Sequence, residues 1–328
     1  MTTGPSDQTA PLPEIFILGD ALVDFVPLHY GALSTATTFE MHSGGAPGNV
    51  AVVSARLGGR SGFAGVVGDD AFGLFLKANF ERERVDTRCL RLTHEDITGL
   101  CFITLDDNRE RSFTHRGGDA AALLNAEDVD PTFAAAAKVC FFSVSSLRKA
   151  GGEAAVEALI EHATGLVCCD PGKAPPSWGD PAMIEARLQR MLSRCDVIKC
   201  AEDETEWLTG VRFHEEAAQR LLERGATLAV VTLGPEGAYW ARANDSGYVQ
   251  TPRVQVVDTT GAGDAFMAAL LVRLSQESGP LAEVPQARIQ DHLNFACEIG
   301  AYAVTRRGAV VGIPRMPSII GGPGPEGR

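Results

Sequence analysis

The chain has 328 residues, of which 45% are hydrophobic, so it can bury the core of one large α/β domain or of two smaller domains. Its net charge of -13 argues against a general nucleic-acid or anionic-membrane surface, since such surfaces need clustered Lys and Arg. No run approaches the roughly 18 apolar residues of a membrane span. The eight cysteines form no CxxC pair, so we expect neither a zinc site nor a disulfide framework, and we expect a reducing cytoplasm.

Apolar strand-like runs alternate with helical patterns along most of the chain. "EIFILGDALVDFVP" predicts two strands over 14–27, and "PGNVAVVSARLGG" predicts a helix over 47–59 that ends at glycine. Further strands are predicted at 61–68, 137–144, 165–170, 196–200 and 227–234. Further helices are predicted at 71–83, 152–163, 182–192 and after Asp264. Continuous apolar strands that alternate with helices indicate an α/β fold, with a mostly parallel sheet covered on both faces.

Two stretches, 20–45 and 97–116, break this rhythm with the alternating pattern of antiparallel hairpins. The second contains a polar turn at Asp106-Asp107-Asn108. We predict that the two stretches together form a small second sheet, here called the lid sheet, because a sheet beside an active site can cover it. The polar, Gly- and Pro-containing ends at 1–13 and 321–328 read as loose tails.

A glycine-rich segment, "VDTTGAGDAFMAALL", places an acid at the start of an apolar helical run. Gly261, Ala262 and Gly263 leave the backbone N–H groups of a helix start uncovered, and such groups can bind a phosphate. Asp264 follows directly. It is either a first-turn acid that complements the helix dipole or a catalytic base beside an anion site.

A second glycine-rich segment, "SGGAPGNVAVVSARLGG", lies between the predicted strands and a helix. Gly44 and Gly45 allow a ligand to approach the backbone, and Asn49 offers a donor and an acceptor to a vicinal diol. The alternative is a glycine turn with Asn49 as a helix cap. The segment lacks GxGxxG, and the chain has no P-loop and no protein-kinase motif set, so none of those nucleotide sites is supported.

Taken together, "GGAPGNVAVVSARLGG" and "DTTGAGDAFMAAL" resemble the two signature segments of the ribokinase-like (PfkB) family of carbohydrate kinases. "GVVGDDAFG", "AEDETEWLTG", "VVTLGPEGAYW" and "AVTRRGA" are similar to other family segments, so the resemblance extends from Ile15 to Pro314. Within the family, "LGDALVDFVP" and "GGAPGN" are most similar to the bacterial fructokinases. The resemblance implies one ribokinase-like domain over 15–314, with the lid sheet inserted in it.

The resemblance implies a role for each residue of the second signature segment. Asp264 becomes the base that takes the proton from a sugar hydroxyl, and the amides of Gly261, Ala262 and Gly263 become the anion hole for the transferring phosphoryl group. Phosphoryl transfer depends mainly on alignment and charge compensation, which a helix N-terminus can supply. We expect the same positive helix end to keep Asp264 ionised.

The resemblance also implies a set of sugar-binding residues, namely Asp24, Gly44, Gly45 and Asn49. Asp20 competes with Asp24, since two residues four positions apart on a strand can face the same side. Arg116 matches an arginine that contacts the substrate from the lid. The alternative is that Arg116 is a solvated arginine of a hairpin with no role in binding.

The implied nucleotide-binding residues are Lys199, Glu204, Thr232, Gly234, Gly237 and Cys297. Glu204 corresponds to a family acid that organises Mg²⁺ through water, which suits magnesium's reluctance to lose its hydration. Asp258 is the candidate for a monovalent cation such as K⁺. The alternatives are a solvated helix start at Glu204 and an ordinary strand-to-hairpin turn at 232–237.

Some positions depart from the family pattern. Ala201 stands where Asn or Ser is usual, and Gly172 and Lys173 stand where fructokinases commonly have Asn and Arg. Lys173 can meet a phosphate as a point charge but cannot make the fork contact of arginine. Cys297 stands where an Asn often lines the adenine pocket, so we expect apolar packing to hold the adenine, with loose selectivity for the base.

The resemblance therefore implies an ATP-dependent kinase that requires Mg²⁺ and phosphorylates the 6-hydroxyl of D-fructose. The alternatives are a kinase for another sugar, a sugar acid or a nucleoside, and a sugar-sensing protein that keeps the fold without turnover. We expect a small sugar and ATP as partners, with no nucleic acid and no membrane. An exposed edge of the lid sheet is a candidate homodimer surface.

Overall fold

The computed structural model describes residues 10–28, 31–105, 111–172 and 180–316. The predicted turn at 106–108, Lys173, residues 1–9 of the N-terminal tail and all of the C-terminal tail lie outside these residues. Within them, no helix combines the length and the apolar character needed to cross a bilayer.

The strands, in chain order, are β1 Ile15–Leu18, β2 Leu22–Pro27, β3 Phe39–Gly44, β4 Ser61–Gly68, β5 Leu90–Thr93, β6 Gly99–Leu105, β7 Arg111–Gly117, β8 Val139–Ser143, β9 Leu166–Asp170, β10 Val197–Ala201, β11 Leu228–Thr232, β12 Ala238–Ala241 and β13 Ser246–Val249. The α-helices are α1 Ala46–Arg56, α2 Ala71–Arg82, α3 Pro131–Ala136, α4 Ala150–His162, α5 Pro181–Leu192, α6 Thr205–Thr209, α7 His214–Glu223, α8 Ala262–Leu274 and α9 Gln286–Ala303.

The larger sheet has the strand order β13-β12-β11-β10-β9-β8-β1-β4-β5. All pairs from β11 to β5 are parallel, and β12 and β13 add two antiparallel strands at one edge. Successive residues of β1 enter different cores: Ile15 and Ile17 pack in one with α1, α8 and α9, and Phe16 and Leu18 pack in the other with α4 and α5. Both faces of the sheet are thus covered, which explains the continuous apolar strands. The predicted mostly parallel sheet is confirmed.

The lid sheet is present as a separate four-stranded sheet with the order β3-β2-β6-β7, which confirms the predicted second sheet. β2 and β3 form one antiparallel pair, β6 and β7 form another, and β2 joins β6 in parallel. On one face the Phe25 ring stacks on Phe102 with 5.0 Å between ring centroids, and it meets Phe72 of α2 edge-on at 5.9 Å. This aromatic contact holds the lid sheet against the body of the protein.

The opposite face of the lid sheet carries a row of polar side chains. The register pairs His42 with Asp24, Asp24 with Cys101, and Cys101 with His115. Paired residues on neighbouring strands point to the same face of a sheet, so these four side chains share one face. Asp24 therefore faces away from the phenylalanine contact.

The loop after α9 is fixed to the loop before α8. The amide of Gly308 donates to Oδ2 of Asp258 at 2.9 Å, and the amide of Val257 donates to the carbonyl of Val304 at 2.8 Å. The lid sheet contacts the same loop, because Nη1 of Arg307 donates to the carbonyl of Leu28 at 3.1 Å. Residues far apart in sequence therefore form one wall around the start of α8.

Candidate active site

The N-terminus of α8 lies at the centre of the candidate site. Gly261 precedes the helix with φ 75°, a left-handed conformation that favours glycine, and a Cβ there would lie 2.6 Å from the carbonyl oxygen of Ala309. The first amides of a helix have no acceptor within the helix, and they are suited to hold an anion. The predicted amides of Gly261, Ala262 and Gly263 lie at this helix start, where that of Ala262 is 3.4 Å from the carbonyl of Thr259, and the amide of Asp264 follows them. The helix is buried from Ala265 through Val272, which fixes its rotation and the direction of Asp264.

Asp264 contacts the other glycine-rich segment directly. Nδ2 of Asn49, on α1, donates to Oδ2 of Asp264 at 2.8 Å across 215 residues of sequence. Asn49 does not cap α1, because Gly45 occupies the N-cap and makes no side-chain cap bond. Oδ1 of Asn49 is buried and has no hydrogen-bond partner among the described residues. An unused acceptor thus lies beside the candidate base, where a hydroxyl donor would satisfy it.

The structure changes the expected ionisation of Asp264. The sequence predicts that the positive helix end keeps this carboxyl ionised. In the structure, burial instead raises its pKa to about 7. The hydrogen bond from Asn49 and the charge of Lys199 lower the pKa, and the charges of Asp170 and Asp20 raise it further. Desolvation outweighs the helix dipole because the surrounding residues leave Asp264 only partly exposed to water. A carboxyl with a pKa near neutrality is suited to act as a general base.

Asp24 is a second carboxyl of the candidate site and is buried, at 8% exposure. Burial raises its pKa to about 7, and the charges of Asp264, Asp20 and Asp258 raise it further. A Cβ at Gly44 would collide with the carboxylate of Asp24, so the missing side chain makes room for the acid. The first glycine of the pair therefore supports the packing of Asp24 as well as the approach of a ligand.

Asp20 lies in the turn between β1 and β2 and is 4% exposed. The hydroxyl of Ser145 donates to Oδ1 of Asp20, and the hydroxyls of Ser143 and Ser145 are 2.8 Å apart. Gly45 is required beside this turn, since it has φ 90° and its Cβ would lie 2.7 Å from the carbonyl oxygen of Asp20. Both acids that compete in the sequence thus belong to the site, with Asp24 on the sheet face and Asp20 anchored below the lid.

A cavity of about 200 Å³ opens between the lid sheet and the turn that holds Asp20. Its polar lining consists of Asp20, His115, Arg116, Asp119 and Arg148. This volume lies below the ~300–1,000 Å³ typical of sites for drug-sized ligands, which suits a small polar ligand. The guanidinium of Arg116 is exposed and donates to the carbonyl of His115 at 2.9 Å, so it stands at the mouth of the cavity.

Lys199 lies on the other side of Asp264, at the expected nucleotide end. Its Nζ lies 2.7 Å from Oδ2 of Asp170 and is close to Gly263, where a Cβ would be 3.0 Å away. Burial alone would lower the pKa of Lys199, but the charges of Asp170 and Glu204 raise it above its ordinary value. A buried, charged ammonium beside the helix N-terminus is suited to an anionic phosphate. Asp170 ends β9 and the predicted strand at 165–170, and the sequence analysis assigns it no role.

Glu204 accepts a hydrogen bond from the amide of Ala201 at 2.8 Å. The backbone supplies this contact, so alanine at 201 supports it as well as another residue would. Burial raises the pKa of Glu204, and the nearby charge of Asp170 raises it further. Two neighbouring carboxylates, of which Asp170 also pairs with Lys199, fit a hydrated Mg²⁺. No group of three or more His, Cys, Asp or Glu that could bind a metal directly occurs in the described residues.

The other residues expected at the nucleotide have mixed surroundings. Gly237 has φ 110° and no room for a Cβ against the carbonyl of Val249, so the fold itself requires glycine there. Gly234 has φ 57° with open space around it, and the hydroxyl of Thr232 donates to the carbonyl of Cys200 at 3.3 Å. Open space at Gly234 fits a ligand that approaches the backbone.

Two more expected positions are described by the structure. Cys297 is buried at 2% exposure, and burial raises the pKa of its thiol, so it behaves as an apolar residue. Gly172 adopts φ 57°, a left-handed conformation that favours glycine.

Asp258 is 5% exposed and accepts several hydrogen bonds from the protein. Its Oδ1 receives the amide and the hydroxyl of Thr260, at 3.0 and 2.7 Å, and its Oδ2 receives the amide of Gly308. The carboxylate thereby shapes the turn that leads into α8. Each oxygen of a carboxylate has two lone pairs, so a cation at Asp258 would share them with these donors.

The chain matches known proteins along most of its length. Residues 12–316 match the family described as pfkB family carbohydrate kinase. The fructokinase of Klebsiella pneumoniae is 37% identical over 305 residues, which cover 92% of this chain and 96% of the relative. The fructokinase of Salmonella typhimurium is 34% identical over 304 residues, with the same coverage of both chains. The chain therefore belongs to the pfkB family of carbohydrate kinases, and the resemblance found in the sequence is confirmed.

Solved structures extend this similarity to the whole fold. A double mutant of the fructokinase of Vibrio cholerae, with fructose, ADP and potassium ion bound, has a TM-score of 0.81 at 32% identity, covering 93% of this chain and 97% of its own. The ATP-bound fructokinase of Xylella fastidiosa has a TM-score of 0.82 at 32% identity, with coverages of 92% and 96%. A putative ribokinase II of E. coli in complex with ATP and Mg²⁺ has a TM-score of 0.82 at 26% identity, covering 93% of this chain and 96% of its own. The ribokinase-like fold is confirmed.

We predict that Asp264→Asn lowers kcat by about a thousandfold or more and leaves the affinity for sugar largely intact. Asparagine keeps the shape of the side chain and removes its ability to accept a proton. Steady-state kinetics and calorimetric sugar binding on the purified variant measure the two effects. Asp291→Asn, an exposed carboxyl on α9, is the matched control. Near-normal turnover of Asp264→Asn would remove Asp264 from the role of base.

The raised pKa values predict a pH dependence. Because the ionised form of Asp264 accepts the proton, kcat/KM for the sugar should rise with pH through about 7 and then level off.

The same raised pKa values predict that the free energy of unfolding falls as the pH rises. Between the ordinary pKa of 3.8 and about 7, the folded chain holds protons that the unfolded chain has lost, so stability falls as the pH rises. Thermal unfolding without ligands, measured across this pH range, should show a smaller loss of stability in Asp264→Asn than in the parent chain. A kcat/KM that does not change with pH would contradict the assignment of Asp264 as the base.

Proposed function

We propose that this carbohydrate kinase transfers the γ-phosphoryl group of ATP to the 6-hydroxyl of D-fructose. One observation carries the proposal: the partly buried carboxyl of Asp264 lies between an open helix N-terminus and the unused acceptor of Asn49, with Asp24 nearby. The relatives named fructokinase, and the solved fructokinase that binds fructose and ADP, support the choice of sugar. Retention of the base argues against a sugar sensor, since binding alone does not need it.

The proposed reaction uses the two ends of the site separately. Asp264 accepts the proton of the sugar hydroxyl while the hydroxyl oxygen forms a bond to the γ-phosphorus of ATP, and the bond to the leaving oxygen of ADP breaks. Amides at the start of α8 stabilise the charge on the transferring phosphoryl oxygens, with Lys199 beside them. Asn49 holds the carboxylate and leaves its Oδ1 free for a sugar hydroxyl.

We assign the metal positions on the same basis. Asp170 and Glu204 would hold Mg²⁺ through water, and Mg²⁺ would neutralise the charge of the ATP phosphates. Asp258 is the position we assign to K⁺, beside the turn into α8. Structures similar to this chain bind potassium ion or Mg²⁺ together with ADP or ATP. Thr232, Gly234, Gly237 and Cys297 complete the proposed nucleotide site.

The charges around the sugar position favour a neutral substrate. Asp24 is surrounded by Asp20, Asp258 and Asp264, and each of these charges raises its pKa. A carboxylate on the substrate would add to this repulsion, whereas sugar hydroxyls donate hydrogen bonds to carboxylates. A neutral polyol such as fructose is therefore favoured over a sugar acid.

We predict the highest kcat/KM for fructose among fructose, ribose, glucose, 2-keto-3-deoxygluconate and adenosine. A coupled assay of ADP release with Mg²⁺ measures the whole series. An advantage of about tenfold or more for another compound would overturn the fructokinase assignment and keep the kinase. Sugar binding without turnover of any compound would favour the sensor.

We further propose that the lid sheet closes over the bound sugar and that its exposed edges pair two chains as a homodimer. Met41 and Phe113, on the edge strands β3 and β7, are 41% and 53% exposed. Sedimentation of the full chain tests the dimer, and a monomer at micromolar concentration would exclude it.

We place the activity in the cytoplasm, in keeping with eight free cysteines.

Closure predicts slower hydrogen exchange in 97–105 and 111–116 when sugar is added, because the covered strands exclude water from the phosphoryl group. β13, at the far edge of the larger sheet, serves as the internal control and should not change. Unchanged protection of both lid segments, with sugar bound, would contradict a closing lid.

A further inference from the structure

His115 lies on the same face of the lid sheet as Asp24. It pairs with Cys101, which pairs with Asp24, so the three side chains form one row across β7, β6 and β2. Arg116 is the next residue along β7, and successive residues of a strand point to opposite faces. The row therefore brings a histidine, rather than the neighbouring arginine, to the side that carries the sugar-binding acid.

The side chain of His115 is available to a ligand. The residue is half-buried, it lines the cavity, and its ring nitrogens make no hydrogen bond to any other residue in the described ranges. Burial lowers the pKa of His115, the charge of Asp20 raises it, and the charge of Arg148 lowers it. With its pKa below the ordinary value, the ring is neutral at pH 7 and offers one donor and one acceptor. This pair of functions matches a sugar hydroxyl.

The wall opposite His115 is rigidly built. Nη1 of Arg148 pairs with Oδ1 of Asp119 at 2.7 Å, and Nε of Arg148 donates to the carbonyl of Ser145 at 3.1 Å. The hydroxyl of Ser145 in turn holds Asp20. Arg148 and Asp119 are paired, and Asp20 adds a hydrogen-bonded carboxylate, so this wall presents fixed polar groups. Such a wall can distinguish the positions of hydroxyl groups without attracting an anion.

We propose that His115 is a specificity-determining residue that binds the hydroxyls at the end of the sugar remote from the phosphorylated one. The proposal rests on the proposed sugar kinase activity and deepens it. β7 lies two strands from β2, about 10 Å between backbones, so the side chains of His115 and Asp24 project from the same face at a separation that a monosaccharide and its hydrogen bonds can span. Asp24 and Asn49 would then hold the reacting half of the sugar, and His115 the other half.

The test compares two substitutions at this position. His115→Phe keeps a planar ring and removes both hydrogen-bonding functions, whereas His115→Gln keeps a donor and an acceptor. We expect His115→Phe to raise the KM for fructose about tenfold or more, to change kcat and the KM for ATP little, and to alter the preference among sugars. His115→Gln should restore much of the affinity. His94→Gln, at a side chain that is 85% exposed, is the control.

The outcomes separate this proposal from the choice of fructose. If His115→Phe is folded, as judged by thermal unfolding, and keeps the sugar KM and preference of the parent chain, the proposal is overturned. If His115→Phe does not fold, His115→Ala, which also lacks both hydrogen-bonding functions, decides by the same criterion. If the parent chain prefers another sugar, the fructokinase assignment fails, but a loss of affinity for that sugar in His115→Phe still supports the role of His115. If the parent binds sugars without turnover, calorimetry replaces KM.

Discussion

The hydrogen bond between Asn49 and Asp264 joins the two halves of the site, and the rest of the structure keeps these residues in place. α1 and α8 pack in the same core, and their buried apolar faces prevent either helix from rotating. Catalysis by alignment requires the base to stay within hydrogen-bond distance of its substrate. Burial of α8 around most of its circumference supplies that rigidity, and it also causes the high pKa of Asp264.

The site concentrates negative charge at a cost to the folded state. Burial raises the pKa of Asp24, and the charges of Asp264, Asp20 and Asp258 raise it further. Hydroxyl and amide donors compensate in part, with Ser145 at Asp20 and Gly308 at Asp258. A cluster of acids that costs stability is typical of a functional site, and we propose that this one provides acceptors for sugar hydroxyls. The paired Lys199 gives the proposed nucleotide end the opposite character.

Strong local patterns made much of the fold predictable. The strand at 61–68 and the helices at 71–83 and 182–192 lie within one residue of the predicted bounds at each end, because their apolar periodicity is long and glycine, proline or aspartate marks their ends. The short strands β5, β12 and β13 and the helix α7 did not emerge from the pattern. Strands of four residues carry little periodicity, and neighbouring strands decide whether they pair.

The sequence by itself determined the two glycine-rich segments, the acid that follows the second one and the family to which the chain belongs. Those features depend on residue types at fixed local spacing, which a turn and a helix start translate directly into backbone geometry. Tertiary structure decided the hydrogen-bond partner of Asn49 and the upward shift of the Asp264 pKa. It also decided that His115, and not Arg116, shares the face of the lid sheet that carries Asp24. These depend on burial, strand register and charges from distant segments, and no local pattern encodes the distance between two side chains that meet only after the chain has folded.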